Sequence, residues 1–293
     1  MYSQLRTAIR SNYILRKFFG YFLISTGLFD SYIKNYKLSD AWIKRIDNVL
    51  ISKDNEYINR VKDAGKISNG VQKMHNGLKI YLGSYYGPEV AIMLQKNKGV
   101  HEPQEERVFQ EVLKLIPKNA VMIEMGSFWS FYSMWFQSNV ENAKNYMIEP
   151  DAFNLGQGRR NFKLNKLNGD FTQAFVSSEY SNGKIPIISV DYFVELKKID
   201  KIHILHSDIQ GYEFEMLNGA KDALAQKKID YIFISTHSND LHYKCLNFLL
   251  EHNFFIISEV DLDNTFSEDG LIVASAEHIL SRNKVEISSK NSH

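Results

Sequence analysis

From Val121 onward, short apolar runs alternate with segments in which apolar residues recur at helical spacing. Such runs predict strands, and strands that alternate with helices predict a mostly parallel sheet covered on both faces. The last two runs are joined by a short polar segment instead of a helix, so we expect them to pair antiparallel. The chain is therefore predicted to be an α/β protein whose seven-stranded, mostly parallel sheet ends in an antiparallel pair. The predicted strands are AVMIEM, NYMIE, TQAFVSS, KIHILHSDI, DYIFISTH, FFIISEV and LIVASA.

The sequence before Val121 has a different pattern. Residues 1 to about 70 lack a sheet signal and favour helices, whereas NGLKIYLGSYYGPE (76–89) favours a small hairpin. HEPQEERVFQEVLKLIP, with Pro103 in a first turn, predicts a helix of about three turns. We expect three regions, namely a helical N-terminal extension over 1–75, the main domain over 76–280 and a polar tail over 281–293. The end of that tail, SSKNSH, is predicted to be disordered.

An apolar segment near the N-terminus, FFGYFLISTGLF (18–29), follows the basic residues Arg6, Arg10, Arg16 and Lys17. No small-residue cleavage site follows it, and it is shorter than the roughly 20 apolar residues that span a bilayer. We interpret it as a helix that packs on the main domain or on a second subunit, so a homo-oligomer is expected. The alternative is peripheral membrane contact through residues 18–29, with the basic residues facing lipid headgroups.

Composition narrows the function classes. The 293 residues are 44% hydrophobic and 24% charged, which is ordinary for a globular protein. A formal net charge of +1 gives no reason to expect a nucleic-acid partner. Because Cys245 is the only cysteine, no disulfide can form within the chain, and a reducing, cytoplasmic location is predicted. Membrane association is the alternative location.

The stretch VMIEMGSFWSFYSMWF (121–136) runs from a predicted strand through Gly126 into a predicted helix. Open parallel sheets bind ligands at the carboxyl ends of strands, where the N–H groups of the next helix point into the crevice. A dinucleotide site needs G-x-G-x-x-G, but Phe128 and Ser130 stand where further glycines belong. The turn suits a ligand without a pyrophosphate, such as S-adenosylmethionine. The alternative is a packed corner without chemistry.

A second acid supports a nucleotide-like ligand. Glu149 ends the next predicted strand, where an acid can accept hydrogen bonds from both hydroxyls of a ribose. The alternative is an acid that complements a helix N-terminus, a role that Asp151 fits better because it follows Pro150.

Several ordered motifs resemble the FkbM-type methyltransferases. HSDIQGYEFEMLNGA (206–220) resembles the family signature, in which an apolar strand is followed by D-[IV]-[EQ]-G-x-E and by an amphipathic helix ending in L-x-G-A. MIEMGSFWSFYS and MIEP resemble the family's first and second strand ends, and PIISVDYFVEL resembles its short segment with an Asp before a helix. HEPQEE and LGSYYGPE resemble upstream elements of one branch. The resemblance extends from Gly77 to Ala276.

The resemblance implies a Rossmann-like domain that binds S-adenosylmethionine and methylates a hydroxyl, often on a sugar or a secondary metabolite. The expected function is O-methylation of a saccharide, with a glycan, a polysaccharide and a nucleotide sugar as the alternatives for the acceptor. In the family's first motif, Glu124, Ser127 and Ser130 replace an Asp, an Ala and a Gly. The residues expected to contact the cofactor are Glu124, Gly126, Ser127, Phe128, Ser133, Glu149, Pro150 and Asp208.

Four residues are candidates for catalysis. Asp208 ends the fourth predicted strand, and an acid there is unusual as a core residue unless it is paired. His237 ends the fifth strand, and histidine is the side chain best suited to proton removal near neutral pH. Glu213, in a first helical turn, and His101, in HEPQEE, have structural alternatives of equal weight. Asp208, His237 and a neighbouring acid could instead hold Mg²⁺ or Mn²⁺, although no spacing motif indicates a cation.

Two other functions stay open at the level of sequence. One is a nicotinamide-dependent oxidoreductase, against which the lone Gly126 speaks. The other is a non-catalytic carbohydrate-binding or scaffold protein with a degenerate pocket.

The aromatic residues predicted to be core, because they fall at helical spacing, are Phe131, Tyr132, Trp135 and Phe136.

Overall fold

The computed structural model describes residues 32–280 and 283–291. The apolar segment 18–29 and the basic residues before it lie outside this range, so the predictions made for them stay predictions. Among the described residues, no helix is long and apolar enough to cross a membrane.

Twelve strands and nine helices are numbered here in chain order. The strands are β1 Ile67–Ser68, β2 Val71–Lys73, β3 Lys79–Tyr81, β4 Val121–Met125, β5 Lys144–Ile148, β6 Asp170–Thr172, β7 Phe175–Val176, β8 Ile187–Ile188, β9 Ile202–Ser207, β10 Ile229–Thr236, β11 Phe255–Val260 and β12 Gly270–Ser275. The helices are α1 Asp40–Ile51, α2 Pro88–Lys96, α3 Pro103–Leu113, α4 Phe131–Asn139, α5 Ala152–Leu164, α6 Val190–Lys197, α7 Glu213–Asn218, α8 Lys221–Ala225 and α9 Asn239–Glu251. A 3-10 turn spans Lys53–Glu56.

The main sheet has seven strands in the order β11-β12-β10-β9-β4-β5-β6. Strand β12 runs antiparallel to both of its neighbours, and the pairs β10–β9, β9–β4, β4–β5 and β5–β6 are parallel. The predicted Rossmann-like α/β fold is confirmed, including the antiparallel final pair. Apolar residues alternate between two cores, with Met122 and Ile204 on one face and Ile123 and Leu205 on the other. A sheet buried on both faces explains why its strands are nearly continuous apolar runs.

The third strand of the main sheet lies upstream of its predicted position. Strand β6 occupies Asp170–Thr172, whereas Phe175–Val176 pairs with Ile187–Ile188 in a separate two-stranded sheet. The prediction of one strand over TQAFVSS was therefore wrong. Strand β6 is a half-buried edge strand, and Phe175 is 49% exposed, so the apolar pattern does not mark which segment joins the main sheet.

The part of the chain before β4 is less helical than predicted. Of residues 32–70, residues 32–34, α1 and the 3-10 turn are helical, and residues 67–81 form a three-stranded antiparallel sheet instead. The predicted hairpin begins one strand earlier than expected, because β3 pairs with β2 rather than with a partner inside 76–89. Gly77, with a φ of +91°, reverses the chain between these two strands.

Helix α3 confirms the predicted three-turn helix, and the aromatic residues expected in the core are buried. The polar tail differs from its prediction. The N–H group of Ser288 donates to Asp54 Oδ2 at 3.0 Å, and the N–H group of Lys290 donates to Asn264 O at 2.9 Å. Residues 288–291 are therefore docked on the main domain rather than disordered, because Asp54 offers a buried carboxylate to their backbone.

Candidate functional site

The turn after β4 is built around Gly126. Its φ is +76°, and a Cβ atom at this position would lie 1.7 Å from the carbonyl oxygen of Asp208. The N–H group of Asp208 donates to Met125 O at 2.9 Å, which holds the ends of β4 and β9 together. Gly126 is therefore required by the close approach of a neighbouring strand, whether or not a ligand is bound.

Phe128 and Ser130, which stand where further glycines were expected, keep a glycine-like backbone. Their φ angles are +38° and +61°, in the left-handed region that costs a non-glycine residue roughly 1–2 kcal/mol. The surrounding structure holds them there. The N–H groups of Gly126 and Ser127 both donate to Ile148 O, and the N–H group of Phe128 donates to Glu149 Oε2 at 3.2 Å.

A cavity of about 630 Å³ opens beside this turn, at the carboxyl ends of β4, β5 and β9. That volume lies within the range of small-molecule and cofactor sites. Five of the predicted site residues line it, namely Gly126, Phe128, Glu149, Pro150 and Asp208. The other lining residues are Tyr86, Asn154, Phe175, Val176, Ser177, Ile187, Ile209, Gln210 and Tyr212.

Glu149 is one of the two acids that line this cavity, and Asp208 is the other. Oε1 accepts the N–H group of Asp151 at 2.9 Å, and Oε2 accepts that of Phe128, so each oxygen keeps a lone pair for a ligand. Burial raises the pKa of Glu149, and the two backbone N–H groups oppose that rise. Asp151 caps α5, since its side chain accepts the N–H groups of Phe153 and Asn154. Glu149 and Asp151 thus have the separate positions that the sequence suggested.

Three residues expected to contact the cofactor do not line the cavity. Glu124 is 3% exposed and accepts the N–H group of Ser133 at 3.2 Å. Burial raises the pKa of Glu124 to about 7. Ser127 and Ser133 are also buried. Glu124 lies inside β4 opposite Met147, whereas Glu149 follows the last residue of β5, so of the two glutamates Glu149 is the one that lines the cavity.

Asp208 and His237 come together, as their positions at the ends of β9 and β10 imply. His237 Nε2 lies 3.2 Å from Asp208 Oδ1, and Nδ1 lies 2.9 Å from Glu213 Oε1. Burial by itself would lower the pKa of His237, but hydrogen bonds to Asp208 and Glu213 and the charge of Asp269 raise it to about 10. The raised pKa favours a charged ring that holds the carboxylates in place, while Gln210 Nε2 lies 2.7 Å from Nε2, and the expectation that His237 acts as a base stays a prediction.

Glu213 supports the loop between Asp208 and α7. It is fully buried, and Oε1 and Oε2 accept the N–H group of Gly211 at 3.2 and 3.1 Å, while Oε1 also accepts that of Ile209. Glu213 does not line the cavity, so its position is that of a residue that orients Asp208 and His237 rather than one that contacts a ligand.

Asp269, which the sequence reasoning missed, lies beside this pair. Its Oδ1 is 3.5 Å from His237 Nε2, and among the described residues its carboxylate accepts no hydrogen bond at conventional distance. Burial, and then the charge of Asp208, raise the pKa of Asp269 to about 7. The strand pairing could have indicated the position of Asp269. Because β12 is antiparallel to β10 and Gly270 lies opposite Thr236, the residue before β12 must lie at the carboxyl edge of the sheet.

His101 is buried away from the cavity lining. Its Nδ1 lies 2.5 Å from Glu106 Oε1 and its Nε2 lies 3.0 Å from Glu102 Oε2. Burial would lower the pKa of His101, but these two carboxylates outweigh it and raise the pKa to about 10. His206 bonds Glu105 at 2.6 Å rather than Asp208. Neither histidine lines the cavity, and the catalytic expectation for His101 stays a prediction.

The same geometry bears on a metal. Within the described ranges, no group of three or more His, Cys, Asp or Glu residues is arranged to hold a metal ion.

Comparison with known proteins gives one family match. Residues 121–256 match the model of the methyltransferase FkbM domain, a range from the first residue of β4 into β11. No curated protein sequence matches the chain.

Several solved structures resemble the fold. A precorrin-6y C5,15-methyltransferase from Geobacter metallireducens GS-15 is 16% identical with a TM-score of 0.42, and the match covers 59% of this chain and 89% of that chain. A methyltransferase FkbM from Methylobacillus flagellatus KT is 17% identical with a TM-score of 0.44, over 54% of this chain and 43% of that chain. A protein from M. capricolum in complex with the natural cofactor product S-adenosyl-homocysteine is 17% identical with a TM-score of 0.40. The match covers 59% of this chain and 71% of that chain. At these identities the likeness concerns the fold alone. By the family match, residues 121–256 are similar to the methyltransferase FkbM domain.

Proposed function

We propose that this protein is an S-adenosylmethionine-dependent O-methyltransferase that acts on a saccharide hydroxyl. The observation that carries the proposal is the position of Glu149, which lines a 630 Å³ cavity at the carboxyl edge of the sheet, within the residues similar to the methyltransferase FkbM domain. An acid at this end of the second parallel strand is suited to the two hydroxyls of a ribose.

The chemistry of the lining residues fits S-adenosylmethionine. Glu149 offers two carboxylate oxygens with free lone pairs, and Val176 and Ile187 offer apolar surface for a flat heterocycle. The carboxylate of Asp208 and the aromatic rings of Phe128 and Tyr86 attract a sulfonium cation. The cofactor, when bound, supplies an activated methyl group. The chain must then orient an acceptor oxygen in line with that group and exclude water.

The acceptor side of the cavity suits a saccharide. Tyr86 and Tyr212 line it and are 60% and 57% exposed, so their faces are free to stack on the C–H face of a sugar ring. Asp208 lines the same cavity, and His237 Nε2 lies 3.2 Å from Asp208 Oδ1 and 3.5 Å from Asp269 Oδ1. Carboxylates accept hydrogen bonds from sugar hydroxyls, so aromatic faces next to acids are the side chains that such an acceptor needs.

Asp269 is the proposed general base for the acceptor hydroxyl. His237 is held between Asp208 and Glu213, Glu213 is fully buried, and Asp208 accepts a hydrogen bond from Gln210, whereas the Asp269 carboxylate accepts none at conventional distance among the described residues. The hydroxyl of the acceptor gives its proton to an oxygen of Asp269 while the hydroxyl oxygen attacks the methyl carbon. A base whose pKa is near the working pH is the efficient choice for this step, and the pKa of Asp269 is raised to about 7.

Two measurements test the proposed function. The first is calorimetric titration of the full chain with S-adenosyl-homocysteine and, separately, with NAD⁺. Tight binding of the first alone supports the proposal, binding of NAD⁺ alone favours an oxidoreductase, and binding of neither favours a scaffold. The second is transfer of a radiolabelled methyl group from S-adenosylmethionine to a panel of saccharides and polysaccharides. Cofactor binding without transfer to any saccharide would contradict the acceptor class.

A further inference from the structure

A basic surface lies on the far side of α5 from the cavity. It consists of two adjacent grooves, of about 480 and 410 Å³. The first groove is lined by Lys66, just before β1, and by Lys73 and Lys79 of the three-stranded sheet, and the second by Arg159, Lys163 and Lys166 of α5 and the turn after it. The two grooves with these six cations are called the basic grooves below.

The two grooves are joined into one surface. Leu164 lines the first groove, and it lies between Lys163 and Lys166 of the second. The side chain of Asn165 accepts the N–H group of Lys79 at 2.9 Å and donates to Lys79 O at 2.6 Å, which ties the end of α5 to β3. The cations therefore keep a fixed arrangement across two elements.

Positive charge in the basic grooves is not compensated within the described residues. None of the six cations forms an ion pair there, although Lys114, Lys197 and Lys244 elsewhere on the surface do. Lys73 and Arg159 instead donate to the neutral carbonyl oxygens of Lys62 and Phe171. Asp63 is the one acid that lines either groove.

Helix capping explains part of this charge but not all of it. Lys163 and Lys166 lie at the C-terminal end of α5, where cations complement the helix dipole. Lys66, Lys73 and Lys79 belong to another element and have no such reason to converge on the same place. In a chain of formal net charge +1, a face with six cations and one acid leaves the rest of the surface net negative. Such a segregation of charge is typical of a surface that meets an anionic partner.

We propose that the basic grooves bind a linear acidic polysaccharide, through its carboxylate or phosphate groups. A narrow linear chain can follow both grooves and meet Lys73 of β2 as well as the cations at the end of α5. Single-stranded nucleic acid needs open aromatic faces for stacking. The aromatic rings nearby are already covered, because Arg159 lies 5.4 Å from the ring centre of Phe171 and Arg160 lies 4.5 Å from that of Tyr81. A charged sugar chain needs only a groove and cations.

The test is binding of fluorescently labelled polygalacturonate to the full chain, with neutral dextran, single-stranded poly(U) and phosphatidylglycerol vesicles as comparisons. The test variant is Lys66→Glu with Lys79→Glu and Lys163→Glu. The matched control, Lys118→Glu with Lys221→Glu and Lys227→Glu, makes the same change in net charge on residues outside the basic grooves.

We expect polygalacturonate to bind the wild-type chain with an affinity that falls as salt rises, because salt screens charges within roughly 10 Å. The test variant should bind about tenfold or more weakly, and the control within about twofold of wild type. The corresponding Lys→Gln triple serves if charge reversal impairs folding. Equal losses in test and control variants, no binding at low salt, or tighter lysine-dependent binding of poly(U) or vesicles would each overturn the proposal. Cofactor binding is not involved, so the result is independent of the proposed function.

Discussion

His237 Nδ1 lies 2.9 Å from Oε1 of Glu213, a fully buried carboxylate whose oxygens also accept the N–H groups of Ile209 and Gly211. A buried acid of this kind fixes both the charge and the orientation of the imidazole. It also fixes the loop that carries Asp208, so the cavity edge, the histidine and the loop form one unit.

Replacing Glu213 should change the titration of His237. In Glu213→Gln the amide oxygen can still accept the backbone N–H groups, but the negative charge is gone. We expect the pKa of His237 to fall from about 10 by about one unit or more, since a close opposite charge is worth that much. The measurement is an NMR titration of the histidine ring signals. Glu215→Gln, two residues on in the same helix, is the control, and an unchanged His237 in Glu213→Gln would contradict the account.

The strained turn predicts a coupling between Ser130 and Gly158. Ser130→Gly should raise the free energy of unfolding by about 1 kcal/mol, because glycine adopts a φ of +61° without strain. Gly158→Ala should lower it, because the new Cβ would lie 2.3 Å from Ser130 Oγ.

The double variant separates these effects. With Ser130→Gly present, Gly158→Ala should be less destabilising, since the clashing hydroxyl has been removed and Phe128 O at 3.1 Å is the next neighbour. Urea denaturation of the four proteins gives the coupling energy. Strict additivity would show that the two residues do not meet as described.

Glu124 makes a pH-dependent contribution to stability. Its folded-state pKa of about 7 lies above the ordinary value of 4.5, so the folded chain holds this proton more tightly than the unfolded chain does. The native state therefore loses stability as pH rises from about 4.5 through about 7. Glu124→Gln should be more stable than wild type by on the order of 2–3 kcal/mol at pH 8 and nearly equal to it at pH 4.5.

Chemical denaturation at the two pH values tests this. Glu141→Gln, an exposed acid at the turn before β5, is the matched control and should show no such difference. A Glu124→Gln variant that is less stable than wild type at pH 8 would mean that the carboxylate is favourably paired in the folded state.

Asp269 should control the pH profile of methyl transfer. Asp269→Asn removes the proposed base, so we expect kcat to fall by about 10²–10⁴-fold. The wild-type rate should rise with pH through about 7, where Asp269 loses its proton, and the variant should lack that step. Asp263→Asn, an exposed acid in the same loop, is the control. Retention of both the rate and the step near pH 7 in Asp269→Asn would assign the proton transfer to another group.

Sequence patterns predicted the main sheet and the residues at its carboxyl edge. The apolar runs of β4, β5, β9 and β10 are buried on both faces, so they are visible without tertiary information, and residues that directly follow a strand, such as Glu149 and Asp208, must lie at its edge. The antiparallel final pair followed from the length of its connection.

The structural features that the sequence did not predict depend on contacts between distant segments. Asp269 comes from a loop whose path is set by β12. The position and pairing of the His101 ring depend on its contacts with Glu102 and Glu106. The backbone of Phe128 is set by Glu149 and Ile148 rather than by its own preference. In each case a tertiary contact decides a position that local propensity would place elsewhere.

The short strands before β4 were missed for a related reason. Strands β1, β2 and β3 have only two or three residues each, too few to show an alternating pattern, and they are held by Gly70 and Gly77 at positive φ and by Asn165 from α5. The sheet is therefore specified by turns and by its packing on α5.

The most direct test of the central claim is the affinity of S-adenosyl-homocysteine for the Glu149→Gln variant, measured by calorimetry beside wild type and Glu124→Gln. Because Glu149 lines the cavity and Glu124 does not, Glu149→Gln should bind about tenfold or more weakly, as expected for loss of hydrogen bonds to a charged acceptor, whereas Glu124→Gln should bind like wild type. Wild-type affinity in Glu149→Gln would contradict the placement of the ribose at this acid, and with it the assignment of the cavity as the cofactor site.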